Sequence, residues 1–137
     1  MKVVVAGSRN DRDCFRVFSV LNKHKHRITE VVSGGATGPD TFAVTWAKRS
    51  RLPCKIFLPD WKQFAKAAGP RRNAEMALYA DELIAFWDGI SAGTGNMIRR
   101  MQVLKKPITY IRYDAKDEAA CMKNMMEKGE RRRKMSR

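Results

Sequence analysis

Apolar and polar positions along this chain switch repeatedly between two periods. Lys2 to Ala6 is a short, nearly continuous apolar run, the pattern of a strand buried on both faces. Gly7-Ser8-Arg9-Asn10 ends it. From Asp11 to about Lys25 the spacing becomes helical, with Cys14, Phe15, Phe18 and Leu21 as the expected apolar face. Ile28 to Ser33 predicts a second strand, and Pro39 to Ser50 a helix with Phe42, Ala43, Trp46 and Ala47 inward. Pro53 to Leu58 predicts a shorter third strand, its proline suiting a strand end or an edge. Asp60 to Phe64 reads as a helical turn, broken by Ala67-Ala68-Gly69-Pro70, and a helix is expected over Ala74 to Ala80. Glu82 to Trp87 predicts a fourth strand, a helix carrying Met97, Met101 and Leu104 follows, and Pro107 to Ile111 predicts a fifth strand.

Strands alternating with helices imply an α/β, Rossmann-like three-layer fold: a mostly parallel five-stranded sheet with helices on both faces. The right-handed crossover rule favours the strand order 3-2-1-4-5. In such a sheet ligands bind beyond the carboxyl ends of the strands where the order reverses, here between the first and fourth. Three loops rich in small residues fall at that end: Gly7 to Asn10, Ser33 to Asp40 and Asp88 to Asn96. Glycine lets the backbone approach a ligand closely, and a helix start aims free N–H groups and the positive end of its dipole at an anion. Thr37 and Asp40 are spaced like a capping box, and Pro39 suits a first helical turn. No Lys-Ser or Lys-Thr follows the glycines, so this is not a Walker loop.

These loops supply the candidate ligand contacts. Phosphates are expected along Gly34 to Gly38, including Gly35 and Thr37, and at Gly93 and Thr94, with Gly7, Ser8 and Ser33 alongside. Arg9 and Arg72 are the expected charge partners, because a guanidinium can grip phosphate with two parallel hydrogen bonds. Asn73 and Asn96 are placed to meet a base or a ribose, and Asp40 and Asp88 complete the set, each readable as a helix cap or a turn residue. The chemistry is thin beyond that. There is no histidine near the expected crevice, no Gly-x-Ser-x-Gly elbow and no metal-ligand cluster. A hydrolase would draw its acid or base from Asp40, Asp60, Glu75 or Asp88, and the spacing selects none of them.

Composition narrows the classes. A chain of 137 residues suits one domain, here 1–127, followed by the basic tail Lys128 to Arg137, which is expected to be disordered. No apolar run is long enough for a membrane helix, and Met1 to Gly7 is too short for a signal peptide. Cys14, Cys54 and Cys121 form no Cys-x-x-Cys, and their odd number fits a reducing cytoplasm. His24 and His26 point about 200° apart on a helix and cannot share a metal. No metal or cofactor is implied. The net charge is +14, and the tail carries only part of it, so the body itself favours phosphorylated or polyanionic partners. Trp61 and Phe64 read first as core, with base stacking as the alternative. A Met-rich segment with Ala119, Met122, Met125 and Met126 reads as helix packing.

Five motifs in register carry a family resemblance. They are Val5-Ala6-Gly7-Ser8-Arg9, Val32-Ser33-Gly34-Gly35-Ala36-x-Gly38-x-Asp40, Asp60-Trp61, Ala68-Gly69-Pro70-x-Arg72-Asn73-x-Glu75-Met76, and the run from Ala85 through Asp88-Gly89, Gly93-Thr94 and Asn96 to Ile98. Over roughly Lys2 to Ile111 the chain resembles the YspA/YpsA-related branch of the SLOG superfamily, whose members occur in bacteria and their phages. The resemblance implies a nucleotide or nucleotide-derived ligand, a homo-oligomer, and a role such as a sensor or sponge of nucleotide signals. More distantly the chain is similar to DprA and to the LOG phosphoribohydrolases. Arg72 to Met76 resembles the Arg-Lys-Ala-x-Met segment of the latter, and Asp88 to Met97 their Pro-Gly-Gly-x-Gly-Thr-x-x-Glu loop. Met97 stands where those enzymes carry glutamate, which speaks against their reaction. Two alternatives stay beside nucleotide binding: hydrolysis of an N-glycosidic or phosphate bond, and binding of single-stranded nucleic acid through the basic surface and tail.

Overall fold

The computed structural model describes residues 1–112; the Met-rich segment, Cys121 and the basic tail lie outside them. Five strands form one sheet: β1 (Lys2–Gly7), β2 (Glu30–Ser33), β3 (Cys54–Ile56), β4 (Glu82–Trp87) and β5 (Ile108–Arg112). Their order is β3-β2-β1-β4-β5 and every pairing is parallel, as the apolar runs and the crossover rule imply. β1 is central, paired with β2 and β4, and its Val3, Val4 and Val5 are fully buried, alternate side chains going to opposite faces.

Helices α1 (Cys14–His24) and α2 (Pro39–Arg49) cover one face. Val17, Leu21, Ala43, Trp46 and Ala47 pack there against Val3, Val5, Val31, Ile84 and Phe86. After the short α3 (Trp61–Phe64), α4 (Ala68–Tyr79) and α5 (Ala92–Val103) cover the other face. There Met76, Ala77, Met97, Ile98 and Met101 meet Val4, Val32, Leu83 and Ala85.

Several local expectations are corrected. α1 begins at Cys14 rather than Asp11, because Asp13 caps it: its carboxylate accepts the Arg16 N–H at 2.9 Å. Phe15 stays exposed, and Val17 takes the inward position. The Ala67 to Pro70 break is instead the start of α4, since a proline in the first turn gives up no intrahelical hydrogen bond. Arg72 and Asn73 therefore sit on a helix rather than in a lead-in loop. Likewise α5 begins at Ala92, so Gly93 to Asn96 are its first turns, while Leu104 falls at its exposed end. Trp61 is 53% exposed and so is not core. No helix among the described residues is long and apolar enough to cross a membrane.

Candidate functional site

Beyond the carboxyl ends of β1 and β4, where the strand order reverses, a cleft of about 460 Å³ opens. That size suits a small organic ligand. It is lined by Gly7, Ser8 and Arg9 after β1, by Asp40 and Arg72, by Asp88, Ile90, Gly93 and Thr94 after β4, and by Met76 and Met97.

The loop after β2 is shaped from inside. Gly38 precedes α2 with φ of 85°, and a Cβ there would lie 2.9 Å from the Ser8 carbonyl, so glycine is required for both conformation and space. Ser33 Oγ donates to the Asp40 carbonyl at 3.0 Å and accepts from the Gly35 N–H at 3.1 Å. The expected capping box does not form. Gly38 is the cap residue and has no side chain to bond the first turn of α2, and Thr37 is exposed and outside the cleft.

Asp40 takes the place expected for a phosphate. Its side chain is buried beside Gly34, and the N–H groups of Ala36, Gly7 and Gly34 turn toward it. Burial raises its pKa to about 6, against the opposing pull of Arg72 and those three N–H groups. The N–H groups that converge from the end of β1 and the loop after β2 are thus taken by the protein's own carboxylate.

Arg72 reaches across from α4. Nη1 donates to the Gly34 carbonyl at 2.6 Å and, more weakly, to that of Phe57 at 3.4 Å; Nε donates to Asn73 Oδ1 at 3.0 Å. Burial lowers its pKa, Asp40 counters that, and Arg9 adds to it. Asn73 is buried and its atoms are committed within the protein. Besides accepting from Arg72, its Nδ2 donates to the Gly93 carbonyl and to Asn96 Oδ1, each at 3.2 Å. Asn73 and Asn96 therefore brace Arg72 and the first turn of α5 rather than presenting free amides to a base.

The start of α5 differs from that of α2. Asp88 Oδ1 accepts from the N–H groups of Ile90 and Ser91 at 2.9 and 2.8 Å, which fixes the turn leading into the helix. Burial tends to raise Asp88, but those N–H groups outweigh it and hold its pKa below the usual carboxylate range. No side chain caps the first turn of α5, and a Cβ added to Gly93 would meet nothing within 4 Å.

Of the residues expected at the site, Gly7, Ser8, Arg9, Asp40, Arg72, Asn73, Asp88, Gly93 and Thr94 line one cleft. Ser33, Gly34, Gly35, Thr37, Gly38 and Asn96 do not; the first three and Gly38 shape the wall behind it. Ile90, Met76 and Met97 also line it and were not expected to. Ile90, 86% exposed, could have been found as an apolar residue stranded between Gly89 and Ser91. Among the possible acids and bases, Asp60 caps α3 through Gln63 and Glu75 is exposed outside the cleft, which leaves Asp40 as the carboxylate there that titrates nearest neutrality. Among the described residues no group of His, Cys, Asp and Glu gathers as a metal site.

Comparison with known proteins agrees with this architecture. The structure of DNA processing protein A (DprA) from Streptococcus pneumoniae matches with a TM-score of 0.70 at 19% identity, over 92% of this chain and 56% of that one. The fold is therefore shared, and this chain spans little more than half of DprA. The Gene 61 protein of Mycobacterium phage D29 is 34% identical over 116 residues, covering 78% of this chain and 93% of that protein. The model of the YspA, cpYpsA-related SLOG family matches residues 1–64, the segment from β1 through α3 that contains the Gly7 and Gly34 loops. By this match and the phage relative, the chain belongs to the YspA, cpYpsA-related SLOG family.

Proposed function

We propose that the chain binds a nucleotide or nucleotide-derived ligand in this cleft, with a phosphate against the first turn of α5. One observation carries the reading. Asp40 fills the loop after β2, where it takes the N–H groups of Gly7, Gly34 and Ala36, whereas the start of α5 has no side-chain cap, opens on empty space at Gly93, and faces a cleft lined by Arg9 and Arg72. Uncapped N–H groups at a helix start, with guanidinium groups lining the same cleft, suit a phosphate. Ile90 and Met97 offer apolar surface to a base or ribose. The family supports a ligand of this class, and a sensor or sponge of nucleotide signals is the role we favour.

A hydrolytic reading rests on Asp40 alone. Its pKa of about 6 suits proton transfer, yet it is 6% exposed and faced by three backbone N–H groups, so it serves the loop better than a substrate.

Calorimetric titration and thermal shift with mono-, di- and cyclic nucleotides and ADP-ribose test the proposal. A ligand at one hundred times its dissociation constant adds about 2.7 kcal/mol to stability. Gly93→Asp, which puts a carboxylate into the open space at the start of α5, keeps the fold and abolishes the shift. No shift with any nucleotide, or an unchanged shift in Gly93→Asp, sinks the assignment.

A further inference from the structure

Beside the cleft, the chain from β3 to the start of α4 presents a second surface. Trp61 is 53% exposed and Leu58 73%, unusual for side chains of this size. Trp61 projects from α3 and its ring edge lies against Gly69. Beside it, the Arg71 guanidinium lies over the Phe64 ring, 3.9 Å from the centroid. Lys62 and Lys66 are exposed on the same short stretch. The acid of this stretch, Asp60, accepts the Gln63 N–H at 3.1 Å and so is committed to capping α3. The surface thus combines an exposed indole, a guanidinium over an aromatic ring, and lysines with little opposing charge.

We infer that this surface binds single-stranded nucleic acid, with a base stacked on Trp61 and backbone phosphates against Lys62, Lys66 and Arg71. Charge complementarity selects the occupant. A second copy of a chain carrying +14 would bring like charge against like, whereas a nucleic-acid backbone supplies a negative charge with every nucleotide. Aromatic faces interleaved with cations are what an unpaired strand can use, since every base has a face to stack and duplex bases are hidden from it. α3 has four residues, too short to lie as an amphipathic helix in a membrane surface. The inference is independent of the nucleotide cleft: Trp61, Phe64 and the two lysines do not line it.

Fluorescence anisotropy of the full chain with a labelled deoxythymidine 15-mer, and quenching of Trp61, which is more exposed than Trp46 or Trp87, test this. We expect the strand to bind and the same sequence in a duplex to bind at least tenfold more weakly. Trp61→Ala weakens strand binding at least tenfold with all cations retained, while Trp61→Phe retains most of it. Lys62→Glu with Lys66→Glu makes the dependence of log affinity on log salt shallower by more than one unit. Gly93→Asp leaves strand binding unchanged, so failure of the cleft proposal and failure of this one are seen separately. Wild-type affinity in Trp61→Ala, equal affinity for duplex, or binding only to phosphatidylserine vesicles overturns the inference.

Discussion

Arg72 Nη1 donates to the carbonyl oxygen of Gly34 at 2.6 Å, joining α4 to the loop after β2 at the back of the cleft. The contact needs glycine, because a Cβ at Gly34 would collide with that same guanidinium and with the Asp40 carboxylate. The other Arg72 bonds also leave from Nη1 and Nε, so Nη2 makes no hydrogen bond among the described residues and is the atom the proposal assigns to a ligand anion. Arg72→Ala is expected to weaken nucleotide binding about 10- to 100-fold, the worth of one hydrogen bond to a charged group. Arg72→Lys restores the charge but not the paired geometry, and recovers only part of the loss. Calorimetric titration measures both; wild-type affinity in Arg72→Ala would remove this residue from the site.

Asp40 makes stability fall as pH rises. Its pKa is about 6 in the fold and near 3.9 in an unfolded chain, so the folded state holds the extra proton between those values. The contribution is fully present below about pH 4 and is lost as pH rises through 6, on the order of 3 kcal/mol in all. Asp40→Asn lacks this titration. The unfolding free energy of Asp40→Asn minus that of wild type should therefore grow more positive by that order between pH 4 and pH 7, with other groups cancelling in the difference. Urea titrations at five pH values measure it, and a flat difference would show that Asp40 titrates normally.

The sheet was legible in the sequence because its determinants are local. β1 and β4 are mostly apolar runs, helical spacing separates each strand from the next, and crossover handedness does the rest, so β3-β2-β1-β4-β5 follows from the pattern. The site was only partly legible. Gly7, Arg9 and Gly93 lie in loops or helix starts that glycine marks, but Asp40 reads as a surface cap, since its burial depends on N–H groups from the ends of two strands and a loop. Pro70 reads as a break although a first turn accepts it, which moved Arg72 from loop to helix. Trp61 was expected in the core because large aromatics usually are; only the brevity of α3 and the edge position of β3 leave it nothing to pack under.

Glycines at the cleft should divide into two kinds. A Cβ at Gly7 would lie 2.5 Å from Pro39 Cγ and 2.8 Å from the Phe86 carbonyl, where β1, β4 and α2 converge. Gly7→Ala is expected to cost about 1–3 kcal/mol through overpacking. Gly93 has open space and lies inside α5, so Gly93→Ala should stabilise by roughly 0.5–1 kcal/mol as alanine replaces glycine in a helix. Urea midpoints of the two variants test this. Equal effects would mean that the cleft wall relaxes more easily than its contacts indicate.

Lys106 closes the end of α4 from outside that helix. Its Nζ donates to the carbonyls of Ala77, Leu78 and Ala80 at 2.7, 3.1 and 2.7 Å, where α4 has no basic residue in its last turn and no glycine cap. A cation on the last carbonyls satisfies orphan acceptors and complements the helix dipole. Because Lys106 lies in the connection to β5, the same contact ties α4 to the sheet edge. Lys106→Met keeps the aliphatic stem and loses the ammonium, and should destabilise by about 1.5–3 kcal/mol, with Lys106→Arg recovering part. These carbonyls lie at the end of α4 that leads into β4, away from the cleft, so nucleotide affinity should be unchanged in both variants. Chemical unfolding measures the first effect and calorimetry the second. A stability loss under 0.5 kcal/mol, as surface lysines usually give, would reduce the three hydrogen bonds to a solvated contact, and a loss of ligand affinity would show that α4 transmits strain from its end to Arg72.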